Sequence, residues 1–292
     1  MGYPALIEPA ALAERLTQAQ PPRILDATYH LPPSTRDEHE EFMRGHLPGA
    51  AFFDIDAIAD RASHLPHMLP SPQAFERAVG ELGVCESDEV VVYDAHGLFS
   101  APRVWWTFRY FGHERISVLN GGLPQWLAEN RPLIFGDRAP LPRAYHARPQ
   151  ADLLIDWRAV QANLDQPQFV LLDQRAADRF AGRAPEPRQG MRAGCVPNSV
   201  NLPWTQLVDP DTQRMRSEAE LRDVFSRAGV LPQSALACSC GSGITACVAA
   251  LALYLLGNER AAVYDGSWAE WGSRDDLPLA HGASDPGSDH AP

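Results

Sequence analysis

A cysteine lies in a short segment with two glycines, Cys240-Gly-Ser-Gly-Ile-Thr245. The mostly apolar residues 234–238 before it predict a buried strand, and the uncharged residues 246–256 after it predict a helix, with Thr245 as N-cap. Backbone N–H groups at such a helix N-terminus, freed by the glycines, favour a thiolate over a thiol. We therefore predict that Cys240 is a nucleophile, exposed at a strand-to-helix turn.

Two neighbouring cysteines have a different expectation. Cys238 falls inside the predicted strand and Cys247 inside the predicted helix, so we expect both to be buried and inert. Their spacing to Cys240 matches no zinc-binding pattern and no histidine follows nearby, so no metal site is predicted. The apolar helix is too short to span a bilayer and is predicted to be buried in a core.

Composition narrows the class of protein. The 292 residues are enough for two domains of ordinary size. A formal net charge of −12 argues against binding to nucleic acid or to an anionic membrane. All 25 basic residues are arginine, which excludes Schiff-base and P-loop lysines. The N-terminus lacks the features of a signal or transit peptide, and five cysteines without disulfide-like spacing favour a reducing, cytoplasmic setting.

The order of predicted strands and helices occurs twice along the chain. A shift of 145 residues superposes several glycines and tryptophans, and it places Cys240 on Ala95. We therefore expect an α/β protein of two tandem domains, each a mostly parallel sheet flanked by helices, with one active site per chain. The superposed pairs are Gly112 with Gly257, Gly121 with Gly266, and Trp126 with Trp271.

The predicted boundaries follow from the repeat. The first domain spans residues 1–138 and has no nucleophile, and the catalytic domain spans residues 153–280. The proline-containing residues 139–152 between them are predicted to be a linker. Residues 281–292 have the composition of a disordered tail.

Four motifs together identify a family. They are Cys240-Gly-Ser-Gly-Ile-Thr245, Asp265-Gly-Ser-Trp-Ala-Glu-Trp271, Ser100-Ala-Pro-Arg-Val-Trp-Trp106 and Gly45-His-Leu-Pro-Gly-Ala50. In this order and in a duplicated frame, they make the chain resemble the tandem-domain rhodanese sulfurtransferases over nearly its whole length. The resemblance implies transfer of sulfur from 3-mercaptopyruvate, through a Cys240 persulfide, to a thiol or cyanide, with release of pyruvate.

The residues that would select the donor are partly neutral and partly basic. A loop with basic residues after the cysteine would suit the thiosulfate dianion, whereas here Gly241 and Ser242 are neutral and resemble the mercaptopyruvate branch. The resemblance implies that Arg179 and Arg188 bind the carboxylate and carbonyl of the donor, a task that suits the planar guanidinium. Arg183, between them, is expected to lie at the surface.

The same resemblance implies a proton relay of Asp56, His67 and Ser242, which would pass a proton to the departing pyruvate enolate. This relay would place the site between the two domains. The resemblance implies no metal or organic cofactor, and a thiol acceptor such as a thioredoxin-like protein. The remaining loop residues expected to bind the donor are Gly241, Gly243, Ile244 and Thr245.

One motif departs from the family pattern, and three other functions stay open. The second copy of the Gly-His-x-Pro-Gly turn is Gly194-Cys-Val-Pro-Asn198, in which asparagine tolerates a left-handed turn and Cys195 is expected to be a packing substitution. Thiosulfate sulfurtransferase differs only in the donor. A phosphatase would need a larger loop ending in arginine, where Ala246 and Cys247 stand. A non-catalytic binding module would not need an intact Cys240.

Overall fold

The computed structural model describes residues 3–136 and 139–281. In this part of the chain ten strands form two five-stranded sheets. The strands of the first sheet are β1 Leu6–Ile7, β2 Arg23–Asp26, β3 Ala50–Phe52, β4 Val90–Tyr93 and β5 Ile116–Leu119. The strands of the second are β6 Leu154–Ile155, β7 Val170–Asp173, β8 Val200–Asn201, β9 Leu236–Ser239 and β10 Ala262–Tyr264.

Helices flank both sheets. Those of the first half are α1 Pro9–Leu16, α2 Glu38–Arg44, α3 Ile55–Ile58, α4 Pro72–Glu81, α5 Ala101–Tyr110 and α6 Gly122–Ala128. Those of the second half are α7 Trp157–Asp165, α8 Ala177–Phe180, α9 Glu218–Arg227, α10 Ala246–Leu255 and α11 Ser267–Trp271, with 3₁₀ turns at Ala151–Leu153 and Trp204–Gln206.

The two sheets have the same topology. Their spatial orders are β1-β5-β4-β2-β3 and β6-β10-β9-β7-β8, and all strand pairs are parallel. The central strands β4 and β9 are buried along their whole length, as expected for a parallel sheet covered on both faces. The predicted α/β fold in two copies is therefore confirmed. The edge strands β1 and β6 were missed because two residues give no readable pattern.

The halves contact each other in the same way twice. The Leu69 N–H donates to Asp265 Oδ2 at 2.8 Å, and the Met215 N–H donates to Asn120 Oδ1 at 2.9 Å. Each bond joins a loop of one half to the residue that follows the last strand of the other half. One hydrophobic core runs through both halves, so the loops after β4 and β9 face the neighbouring half rather than open solvent.

Helices α5 and α10 pack together at the centre of this core. Residues 246–253 of α10 are all buried, which confirms the prediction from its uncharged sequence. No helix in residues 3–136 and 139–281 is long and apolar enough to cross a membrane.

The structure corrects several local predictions. Strand β9 covers 236–239 rather than 234–238, and α10 ends one residue earlier than expected. Thr245 makes no side-chain capping bond. The reason is its φ of −74° and ψ of −14°, which are already helical, whereas a capping residue needs an extended backbone to reach back to the helix N–H groups.

The predicted linker packs along the first half where it is described. Tyr145 is buried against Phe75, and the N–H groups of Arg143 and Arg148 donate to Gly80 O and Phe111 O. The domain boundaries stay a prediction. Of the predicted tail, residues 282–292 lie outside the described part of the chain.

A buried ion pair joins the halves and yields a first prediction. Arg103 Nη1 lies 2.5 Å from Asp265 Oδ1, and each side chain is 3% exposed. Arg103→Leu should lower the free energy of unfolding by about 3–5 kcal/mol, because it leaves Asp265 buried without its cation. Urea unfolding measures this. Arg44→Leu, which removes an exposed pair with Glu40, is the control and should change little. Equal effects would contradict the role of the buried pair.

Candidate active site

Cys240 follows directly on β9, in a loop that hydrogen bonds hold against α11. Its N–H donates to Ser267 Oγ at 3.1 Å, and its carbonyl accepts from the Trp268 N–H at 3.0 Å. The Gly241 carbonyl accepts from the Ala269 N–H at 2.8 Å. Cys240 is only 2% exposed, so the expectation of an exposed nucleophile is wrong. The first half of the chain packs against this loop, since Arg103 donates to the Gly243 carbonyl and Cys240 belongs to the core that both halves share.

The first half carries an aspartate at the position of Cys240. The Leu123 N–H donates to Asp94 O at 3.0 Å, just as the Trp268 N–H donates to Cys240 O. Superposing Cys240 on Ala95 was therefore wrong by one residue. A constant shift fails here because six residues separate Asp94 from α5, whereas five separate Cys240 from α10. The first copy still has no cysteine nucleophile.

The Asp94 carboxylate shows what this kind of loop binds. It accepts four backbone N–H groups at 2.7–2.9 Å, a cradle for an anion. In the catalytic loop, none of the hydrogen bonds of the described residues uses the N–H groups of residues 241–245. These groups remain available to an anionic sulfur on Cys240. The donors to Asp94 are His96, Phe99, Ser100 and Ala101.

Close neighbours require one loop glycine, Gly243, and a second, Gly241, leaves room for Arg179. Gly243 has a φ of +80°, and a Cβ there would lie 2.7 Å from Asp265 O. A Cβ on Gly241 would lie 3.0 Å from Nη2 of Arg179. Gly241 therefore lets one of the two predicted donor-binding arginines approach the backbone next to Cys240.

The other predicted donor-binding residue, Arg188, joins the two halves of the site. Its Nη1 donates to Ser242 Oγ at 3.2 Å, and its Nη2 lies 3.1 Å from His67 Nε2 and 3.4 Å from Tyr29 Oη. Asp56 and His67 of the predicted relay are therefore in contact, but Arg188 lies between His67 and Ser242, and the relay itself stays a prediction.

The first part of this relay is a carboxylate–imidazole pair. His67 Nδ1 lies 2.5 Å from Asp56 Oδ1, with the imidazole side chain 2% exposed and the carboxylate 60% exposed. An ionised Asp56 can only accept, so it assigns the proton to Nδ1 and leaves Nε2 to accept from Arg188. The ring edge of Tyr29 packs on His67, with centroids 4.8 Å apart.

The environment keeps His67 neutral and Asp56 charged. Burial, together with the nearby Arg103 and Arg188, lowers the pKa of His67 against the opposing effect of Asp56. Burial opposes ionisation of Asp56, but the hydrogen bond and charge of His67 and the charge of Arg188 outweigh it and lower the pKa of its carboxyl. Burial and the Asp56 charge raise the pKa of Tyr29 to about 12, so it stays a neutral hydroxyl.

Arg179, unlike Arg188, pairs directly with a carboxylate. Its Nη2 lies 2.5 Å from Glu186 Oε2, and Glu186, whose side chain is 2% exposed, also pairs with Arg175 at 2.7 Å. Glu186 therefore both orients and neutralises Arg179. Arg183 pairs with Asp178 at the surface.

Sequence reasoning missed several residues of the site. Tyr29, Arg103 and Ser267 contact predicted site residues from distant parts of the chain, and Glu186 contacts Arg179 from seven residues away. Arg103 and Ser267 had a signal, because each lies in a motif that carried the family resemblance.

Three other cysteines, Cys238, Cys247 and Cys195, occupy structural positions. Cys238 and Cys247 are fully buried, and burial raises the pKa of both thiols, which supports the expectation that they are inert. The Cys247 thiol donates to Gly243 O at 3.3 Å and so braces the catalytic loop. Cys195 is buried and donates to Ala280 O, and Asn198 takes the left-handed φ of 61° predicted for its turn.

Comparison with known proteins gives a consistent family. The model of the rhodanese-like domain matches residues 8–129 and 156–274. The chain is 43% identical over 272 residues to human 3-mercaptopyruvate sulfurtransferase, covering 91% of each, and 42% identical over 275 residues to thiosulfate sulfurtransferase of Bos taurus, covering 92% of each. It superposes on the crystal structure of SseA from Escherichia coli, a 3-mercaptopyruvate sulfotransferase, with a TM-score of 0.83 at 35% identity, covering 91% of this chain and 99% of that one.

The relay yields a prediction about pH. Because the pKa of His67 is lowered, its imidazole should titrate below pH 6.5. Between pH 6.5 and that lower pKa, the unfolded chain binds more protons than the folded protein. The free energy of unfolding should therefore fall as the pH drops through this range. Asp56→Asn should lower the midpoint further, because Asp56 favours the imidazolium. NMR titration of the His67 ring measures this. Glu40→Gln, at the surface, is the control. An unchanged or higher midpoint in Asp56→Asn would refute the pairing.

Proposed function

This chain belongs to the rhodanese family, with two copies of the domain, and on that premise we propose that it transfers sulfur from 3-mercaptopyruvate to a thiol or to cyanide through a persulfide on Cys240. The proposal rests on one observation, which is that two groups able to bind an anion lie in the same site without one. One is the set of backbone N–H groups around Cys240, and the other is the Arg188 guanidinium, whose hydrogen-bond partners among the described residues are all neutral.

The surroundings of Arg188 favour a carboxylate-bearing donor. In the described part of the chain its partners are Ser242, His67 and Tyr29, and none of them carries a negative charge at neutral pH. A partly buried cation with no anion among these direct partners favours binding of one. The carboxylate of 3-mercaptopyruvate supplies one, and the closeness of Arg179 to Gly241 supports its proposed role in binding the donor's carbonyl.

The proposed reaction begins with the Cys240 thiolate attacking the thiol sulfur of the donor. The new S–S bond forms as the carbon–sulfur bond of the donor breaks, and the bonding electron pair goes to the carbon, which becomes the pyruvate enolate. No external oxidant or cofactor is needed, because the donor sulfur is oxidised as the donor carbon is reduced. The loop N–H groups stabilise the negative charge on sulfur.

Proton transfer completes the first half-reaction. Donor binding to Arg188 would free Nε2 of His67, which is neutral and can take the thiol proton of the donor. The same imidazole, oriented by Asp56, then protonates the enolate carbon to give pyruvate. The products are pyruvate and a Cys240 persulfide anion, and an acceptor thiol or cyanide removes the outer sulfur and restores the thiolate. We propose a thioredoxin-like protein as the acceptor in a reducing, cytoplasmic setting.

Thiosulfate is the second candidate donor, because a relative of nearly equal identity is a thiosulfate sulfurtransferase. The dianion would gain from a cationic loop, but Gly241 and Ser242 carry no charge and Glu186 neutralises Arg179. The site therefore offers the thiosulfate dianion little positive charge besides that of Arg188.

Steady-state rates with both donors, using cyanide as acceptor, test the proposal. We expect kcat/KM for 3-mercaptopyruvate to exceed that for thiosulfate at least tenfold, or about 1.4 kcal/mol of transition-state preference. Arg188→Leu should lower kcat/KM for 3-mercaptopyruvate by about 10- to 100-fold, the scale of a lost hydrogen bond to a charged group.

Two controls make the comparison decisive. Cys240→Ser should abolish turnover, and Arg183→Leu, at the surface, should leave it unchanged. A preference for thiosulfate would leave Cys240 as nucleophile but contradict the assigned role of Arg188.

A further inference from the structure

Gln174 has a fully buried side chain with no partner. It is 0% exposed, and neither Nε2 nor Oε1 has a hydrogen-bond partner among the described residues. Its backbone is satisfied, since its N–H donates to Ser239 O at 2.8 Å and its carbonyl accepts from the Trp204 N–H at 3.2 Å. A buried amide without partners costs about 1–3 kcal/mol, so the folded protein retains this group at an energetic cost.

Strand register brings Gln174 close to Cys240. Leu172 pairs with Cys238 and Asp173 with Ser239 in the parallel pair β7 and β9. The Gln174 N–H continues this ladder by donating to Ser239 O, so Gln174 and Cys240, the residues that follow the two strands, are neighbours. Residues paired across parallel strands share a face, and strands lie about 4.8 Å apart. Leu172 and Cys238 both contribute to the core between the halves, so two residues later Gln174 and Cys240 return to that face.

The first half provides a natural comparison. Its equivalent of Gln174 is Ala27, whose N–H donates to Tyr93 O at 2.8 Å just before Asp94. There the anion is already bound by four backbone N–H groups, and its neighbour is a methyl group. At this position the second half, where the anion would form on Cys240 during the reaction, has the Gln174 amide, and the first half, where Asp94 is already an anion, has none.

We propose that Gln174 is a further catalytic residue, whose Nε2 donates a hydrogen bond to the outer sulfur of the Cys240 persulfide. The bond forms as the S–S bond forms and the negative charge moves to the outer sulfur, so it strengthens from ground state to product. This inference rests on the proposed function. It explains why the amide has no partner in the unloaded enzyme, where the outer sulfur is absent.

Gln174→Met tests the inference, because it keeps the length of the side chain and removes both polar atoms. In single-turnover experiments with 3-mercaptopyruvate, pyruvate release should be at least tenfold slower than in the wild type. The urea midpoint of the unloaded enzyme should stay equal or rise, because no hydrogen bond is lost. Gln174→Ala, which copies Ala27, should slow the same step and keeps the test available if the methionine variant does not fold.

Asn258→Leu is the matched control. The Asn258 amide donates to Pro232 O and Ser234 O, so this variant should lose stability and keep its single-turnover rate. If Gln174→Met behaves in the same way, its amide has a structural role and the inference is wrong. A wild-type enzyme that forms no persulfide with either donor would overturn the proposed function as well, whereas equal rates in wild type and variant would overturn this inference alone.

Discussion

The site depends on the buried guanidinium of Arg103. It lies on α5 of the first half and pairs with Asp265 of the second half, and it also donates to the carbonyls of Gly243 and His67. Burial opposes its charge, but Asp265 outweighs this and raises the pKa of Arg103. One cation therefore fixes the catalytic loop, the histidine of the relay and the contact between the halves. The candidate site therefore keeps the relative positions of its residues only while the two halves of the chain remain packed together.

The duplication has produced two anion cradles with different contents. In the first, the carboxylate of Asp94 is a permanent occupant, which makes that loop a stable structural element. In the second, Cys240 stands at the corresponding position, and in the proposed mechanism the loop N–H groups bind the charge that appears on sulfur during the reaction. In the proposed mechanism, replacing a fixed anion by a thiol converts structural stabilisation into catalytic stabilisation. The first half contributes the pair of Asp56 and His67, which contacts Arg188 of the second half.

Local pattern was enough to predict the parallel α/β fold, the buried helix α10 and the loop with its cysteine, because these follow from apolar periodicity and from glycine and proline positions. The site residues Asp56, His67, Arg179 and Arg188 came from family resemblance alone. Three features could not be predicted. The extra residue in the first loop hid the match of Asp94 to Cys240, the burial of Cys240 depends on the other half, and the unpaired amide of Gln174 follows from strand register.

Mass spectrometry of the enzyme after reaction with one equivalent of 3-mercaptopyruvate tests the central claim most directly. The proposed mechanism predicts the added mass of one sulfur atom on the peptide that contains Cys240, together with one equivalent of pyruvate. This added mass should be lost when a thiol acceptor is added. Cys238 and Cys247, buried and protonated, should stay unmodified. Pyruvate release without sulfur on Cys240, or sulfur on another cysteine, would contradict the account.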